Sequence, residues 1–171
     1  VLPASTTVAW PASPALTARY RAAARAIGVA IAALGALVLL GWANNLEHAF
    51  SFGVGPLMKA NAAACFFLAG LSLTLVHLDG RARAIAALFA AVTVAVGLAT
   101  IAEWVLSVDL GFDQLLFDDP TKAYTSVPGR IAPNTALAFS LLGVALLLVR
   151  GQGWRLRLAR WLALLAIGIG A

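Results

Sequence analysis

The sequence predicts an all-α integral membrane protein, a helical bundle of repeated helix–outer loop–helix hairpins. Three features predict it: apolar residues gathered in long blocks, basic residues concentrated in alternate connections, and an internal repeat about one hairpin long. Apolar residues fill 62% of the 171 positions and charged residues 11%, against about 45–50% and about 25% in a soluble domain. A water-soluble core is excluded on that balance.

The blocks set the span count. A run of about 18 or more apolar residues with few charges is long enough to cross a hydrocarbon core about 30 Å thick. Residues 26–43 make the first such run, 62–78 the second and 84–107 the third, the last with one acid, Glu103, near its end. Residues 135–149 are shorter, but 131–149 reach 19 positions when Pro133 and Asn134 lie in the interface. A fifth run starts at Trp161 and is still apolar at Ala171. At about 1.5 Å per residue it covers only about half the core, so the expectation is five visible spans, the fifth incomplete, in a protein of at least six.

The charges set the orientation. Arg19, Arg21 and Arg25 precede span one, Arg81 and Arg83 join spans two and three, and Arg150, Arg155, Arg157 and Arg160 join spans four and five. The other two connections carry Lys59, Lys122 and Arg130 among Glu47, Asp109, Asp113, Asp118 and Asp119. By the positive-inside rule the basic segments are cytoplasmic and the acidic loops face outward. The expected partner is therefore the lipid bilayer, with the N-terminus in the cytoplasm. Nucleic acid is not expected, because the net charge of +5 lies in topology-setting segments and forms no basic face interleaved with aromatics. Residues 1–25, with Pro3, Pro11 and Pro14 and no apolar stretch behind a basic start, read as a cytoplasmic tail rather than a signal peptide.

A repeat organises residues 26–171. Met58-Lys59-Ala60-Asn61-Ala62-Ala63, with Phe66, Gly70, Leu73, Leu75 and Val76, recurs 73 positions on as Ile131-Ala132-Pro133-Asn134-Thr135-Ala136, with Phe139, Gly143, Leu146, Leu148 and Val149. Upstream, Gly35, Trp42 and Glu47 match Gly97, Trp104 and Asp109 at an offset of 62. The first repeat covers about 26–80 and the second about 84–150, and the outer loop of the second is longer by the difference, 11 residues. A third unit begins from 161, where Trp161 to Gly170 align with Leu88 to Gly97. Gly55-Pro56 and Pro128-Gly129 mark turns before each returning helix, and Asn61 and Asn134 stand where helix N-caps belong. With Lys59 and Arg130 beside them, the same two helix starts form an alternative anion or polar-ligand site.

Chemistry-bearing residues are few. Thr93, Gly97, Thr100, Trp104 and Ser107 fall on one face of span three, with Glu103 on its flank. Small and hydroxyl residues there suit a packing seam, while an ionisable group within a span is by default a functional one. The loop from Asp109 to Pro120 mixes acids with Phe112, Leu115, Leu116 and Phe117, which predicts that it folds back over the outer mouth of the bundle as a cap. Glu103, Trp104, Asp109, Asp113, Arg130 and Asn134 are therefore the candidate ligand or stimulus residues. His48 lies just outside span one, and His77 beside Asp79 reads as a cytoplasmic interface pair. Cys65, the single cysteine, leaves no disulfide or cysteine metal cluster. The loop has no EF-hand spacing, so neither metal nor cofactor is expected, and no catalytic or phosphate-binding motif marks the chain as an enzyme.

The run Glu103-Trp104, Asp109-Leu110-Gly111-Phe112-Asp113-Gln114-Leu115-Leu116-Phe117 and Pro128-Gly129-Arg130-Ile131-Ala132-Pro133-Asn134-Thr135-Ala136-Leu137-Ala138-Phe139 resembles the N-terminal multi-pass sensory domain of many bacterial receptor histidine kinases and diguanylate cyclases. The family pattern has D-L-G-I-D-Q-L-L-F and P-G-R-M-[SA]-P-N-T-A-L-x-F; Phe112 and Ile131 depart from it, as does Lys59-Ala60-Asn61 in the first copy. The resemblance implies a signal-input domain in a two-component or cyclic-dinucleotide receptor. It would work as a homodimer through its membrane helices and the cytoplasmic output domains that follow the sixth span. An accessory structural subunit that packs against other membrane subunits is the alternative.

Overall fold

The computed structural model describes residues 13–46, 58–119 and 127–170. Among them the chain is all-helical: α1 (Pro14–Ala43), α2 (Ala60–Leu75), α3 (Arg81–Leu106), α4 (Pro133–Leu148) and α5 (Trp154–Gly170), with no strand. By length and composition α1 and α3 can cross a membrane; α2 and α4, of 16 residues each, are shorter. At about 1.5 Å per residue each of these covers about 24 Å. The sequence reading counts complete spans in both, because their apolar runs continue through 76–78 and 131–132, beyond the helix ends.

Helix α1 starts well before residue 26. Ser13 caps it by accepting the Leu16 N–H at 3.2 Å, and Pro14 occupies the first turn, where its missing N–H costs nothing. The Ala-rich stretch behind it has high helix propensity. Residues 14–25 thus belong to the helix, and only 1–12 of the expected tail lie outside the described residues. Glu47, His48 and Gly55-Pro56 lie outside them too.

The capping roles expected of Asn61 and Asn134 are corrected. The N-caps are Lys59 and Ala132, neither with a side-chain cap bond, so each asparagine sits inside the first helical turn. Pro133, with its preset φ, begins α4 one position before Asn134. Asn61 serves another purpose: its Nδ2 donates to the carbonyls of Phe112 and Asp113 at 3.3 and 2.9 Å.

Pairing is sequential. α1 packs on α2 and α3 on α4, α2 meets α3 and α4 meets α5, and α2 also touches α4. The sequence repeat returns atom by atom. A Cβ added to Gly35 would strike the backbone of Ala63 and Phe67, and one added to Gly97 would strike Ala136 and Ser140, the same pair 73 residues later. Gly70 lies against Gly28 and Ala32, and Gly143 against Ala90 and Val94, again the same positions at an offset of 62. Glycine is required at these seams because helix backbones touch there. Trp42 Nε1 donates to the Met58 carbonyl at 3.0 Å and Trp104 Nε1 to that of Ile131 at 2.9 Å, each worth about 1 kcal/mol and each closing the loop end of a hairpin. Between hairpins, Ser72 Oγ donates to the Ala86 carbonyl, and the positions 73 residues on, Ala145 and Ala159, are buried alike.

The two ends differ in charge. At one end Arg150 donates to the carbonyls of Val76 and Leu78 and to Asp79 Oδ1. It, not His77, is the partner of Asp79. At the opposite end Glu103, Asp113 and Asp119 are buried with Lys59 and Arg130.

Candidate functional site

The site is built where α3 ends. Thr93, Gly97, Thr100 and Glu103 form its buried face. Glu103 is therefore central to that face rather than flanking it, and its side chain is fully covered rather than reaching to solvent. Ser107, expected on the same face, is exposed and stops the helix in the left-handed region at φ 54°. The chain then turns back over its own helix end. The Leu110 N–H donates to Glu103 Oε1 at 2.9 Å, and the Gly111 N–H to Asp109 Oδ1 at 2.8 Å, an Asx-type turn that a positive φ at Gly111 completes.

Arg130 enters from the other side. Its approach depends on the Pro128-Gly129 turn, where Gly129 has φ 75° and lies so close to the Asp113 carbonyl that no Cβ fits. The guanidinium donates through Nε to Asp113 Oδ2 at 2.8 Å and through Nη2 to the Val108 carbonyl at 3.1 Å. The same Nη2 stands 3.4 Å from Glu103 Oε1 and 3.8 Å from Asp109 Oδ1, and the cation lies 5.9 Å from the centre of the Trp104 ring, within cation–π range. Burial opposes its charge, but the Asp113 hydrogen bond and the charges of Asp113, Glu103 and Asp109 outweigh burial and raise its pKa. Among the described residues, three buried side-chain oxygens have no hydrogen-bond partner: Glu103 Oε2, Asp113 Oδ1 and, about one turn earlier on α3, Thr100 Oγ1.

The long loop ties hairpin two to hairpin one. Lys59 pairs with Asp119, whose Oδ2 also accepts the Gly129 N–H at 2.8 Å. Asn61 holds the carbonyls of Phe112 and Asp113, and Phe117 stacks on Trp42 with centroids 6.3 Å apart. The expected cap is there, though only Phe112 and Phe117 turn inward, while Leu110, Leu115 and Leu116 are exposed. Both cations of the imagined anion site, Lys59 and Arg130, are already paired with carboxylates of the chain.

Of the six candidate residues, Glu103, Trp104, Asp109, Asp113 and Arg130 converge. Asn134 does not: it is exposed and borders a groove between α2, α4 and α5. Sequence reasoning missed Lys59, Asn61 and Asp119 as loop anchors. The available signal was the departure between copies, since Lys59 stands where the second repeat has Ala132. No family model, curated protein or solved structure matches the chain.

Proposed function

We propose that the chain is the signal-input module of a bacterial inner-membrane receptor, with its N-terminus cytoplasmic and its acidic end outward. In this reading it relays a stimulus to a histidine kinase or diguanylate cyclase output domain. The membrane part is supported by an inverted distribution of residues. Leu34, Leu37, Leu88, Leu98 and Leu164 face outward, while Gly, Ala, Ser and Thr fill the seams. Lipid, as apolar as leucine, favours that arrangement because packing of small residues, not hydrophobic burial, holds such helices together. The segregation of charge to opposite ends agrees with it.

The observation that carries the sensory part is the buried Glu103–Arg130–Asp113 network on a loop that clasps the neighbouring hairpin. Any stimulus that alters this network changes how hairpin two leans on hairpin one, and small helix shifts of that kind relay signals through bundles. The repeat extends the reading to a third hairpin. Ala163, Ile167 and Gly170 of α5 match Ala90, Val94 and Gly97, the α3 face that meets α4. On α5 the face lines an open groove of about 760 Å³ bordered by Phe66 and Phe139, and a Cβ at Gly170 would meet nothing. A returning helix would fill that groove as α4 fills its counterpart.

Two observations test the proposal. With Cys65→Ala as background, Leu115→Cys is expected to react with an impermeant maleimide from outside and Gln152→Cys only after permeabilisation; the reverse pattern overturns the orientation. The coding sequence after residue 171 tests the relay. A PAS, kinase or GGDEF-type pattern supports it, and a stop codon after one further span replaces it with an accessory subunit.

A further inference from the structure

We propose that Glu103, Asp109 and Asp113 bind a divalent cation of the Ca²⁺ type beside Arg130, which names the stimulus class of the input site just described and rests on that reading. One carboxylate oxygen from each residue lies within 4.8 Å of the other two, a spacing that a single ion ligated at about 2.3–2.6 Å would bridge. The charges are unbalanced: three carboxylates face one guanidinium, a formal excess of two negative charges that a divalent ion neutralises and a monovalent ion does not.

The independent observation lies in the orphaned oxygens. Glu103 and Asp113 have side chains only 0% and 4% exposed, and in each one oxygen is engaged while the other, Oε2 or Oδ1, has no partner. Buried carboxylate oxygens are ordinarily satisfied, and Arg130 does not reach these two. Asp109 differs: its side chain is 68% exposed, so it supplies both a third ligand and the entry route from solvent. A donor set of carboxylates, without histidine or thiolate, suits a hard cation. Because two of the three donors sit on a loop, the irregular coordination that Ca²⁺ accepts fits better than the strict octahedron that Mg²⁺ demands.

The test uses the purified protein in lipid nanodiscs, titrated with Ca²⁺, Mg²⁺ and Tb³⁺ at pH 7.5. Ca²⁺ is expected to raise the melting temperature relative to EGTA, with Mg²⁺ weaker. Tb³⁺ is expected to luminesce on indole excitation, and Trp104→Phe to remove most of that emission. Asp109→Asn is expected to keep the Ca²⁺-free melting temperature and weaken Ca²⁺ affinity at least tenfold. Absence of any Ca²⁺-dependent shift or Tb³⁺ emission overturns the site, as does a Ca²⁺ shift that Asp109→Asn leaves unchanged. Stabilisation by acid in EGTA equal to that given by Ca²⁺ assigns the orphaned oxygens to a proton and also overturns it. The two readings separate by output: Ca²⁺ bound with no change in receptor output removes the input role and leaves the site, whereas output altered by Asp109→Asn without Ca²⁺ binding does the reverse.

Discussion

The two hairpins share a scaffold and differ in what closes it. Each has a pair of glycines at a backbone contact, Gly35 and Gly70 in one, Gly97 and Gly143 in the other. Each has a tryptophan whose indole bonds the carbonyl that opens the returning helix. Above that level they diverge. The first presents Lys59 and Asn61, which receive another segment; the second supplies that segment, 11 residues longer than its counterpart, with Glu103, Asp113 and Arg130 folded beneath it. What the duplicated parts have in common maintains the fold, and what only one copy has is free to be a site.

The largest test of this division is charge removal. Arg130→Met strands Glu103 and Asp113 without their cation, and breaking a buried pair from one side costs about 3–5 kcal/mol. Lys59→Met is expected to cost less, about 1–3 kcal/mol, because Asp119 keeps the Gly129 N–H. Thermal unfolding of both variants in nanodiscs measures the difference. Equal losses would mean that the two cations are equivalent and that the second hairpin holds no special network.

Next in size comes the shared seam. Gly35→Ala and Gly97→Ala each push a Cβ into helix backbone, and overpacking of this kind costs about 1–3 kcal/mol. The losses should match, since the contacts repeat position for position. Gly168→Ala, with open space around it, should instead gain up to about 1 kcal/mol of helix propensity. A much smaller loss at Gly35 than at Gly97 would break the equivalence of the hairpins.

The shared parts were also the legible parts. Hairpins, seams and the tryptophan pair appear in sequence because a repeat writes each requirement twice, so Gly35 and Gly97 or Trp42 and Trp104 identify one another. Single-copy features lack that check. Glu103, Asp109, Asp113 and Arg130 still stood out as charges within or beside an apolar run. Asn61 misled because an asparagine before a helix is so often its cap, and only the folded loop brings the carbonyls of Phe112 and Asp113 to it. Asn134 misled for the same reason and ends on a different surface. Hydropathy starts α1 and α5 late, at 26 and 161 rather than at Pro14 and Trp154, because it marks the apolar stretch of a helix, not the arginine-bearing turns before it.

The smallest expected effect probes the opposite end, where the repeat sets His77 against Arg150. One copy has a group that titrates near neutrality and the other a permanent charge. Burial first, then Arg21, Arg150 and Arg25, holds the His77 imidazole below its ordinary value of 6.5, so the folded chain keeps it neutral where the unfolded chain protonates it. Between the folded and unfolded values the unfolded state binds more protons, and stability therefore rises with pH. The contribution is complete above about pH 6.5 and is lost as pH falls through the lower folded value. His77→Gln, which stays neutral throughout, should flatten this part of the melting-temperature profile and leave the value at pH 8 nearly unchanged. His77→Arg, which copies the second hairpin, should lower the melting temperature at every pH, because a fixed charge then faces Arg21, Arg25 and Arg150. A wild-type profile that falls as pH rises from 5 to 7 would show that the basic end does not press on His77, and the difference in charge between the two ends would then lie in the residues but not in the field they make.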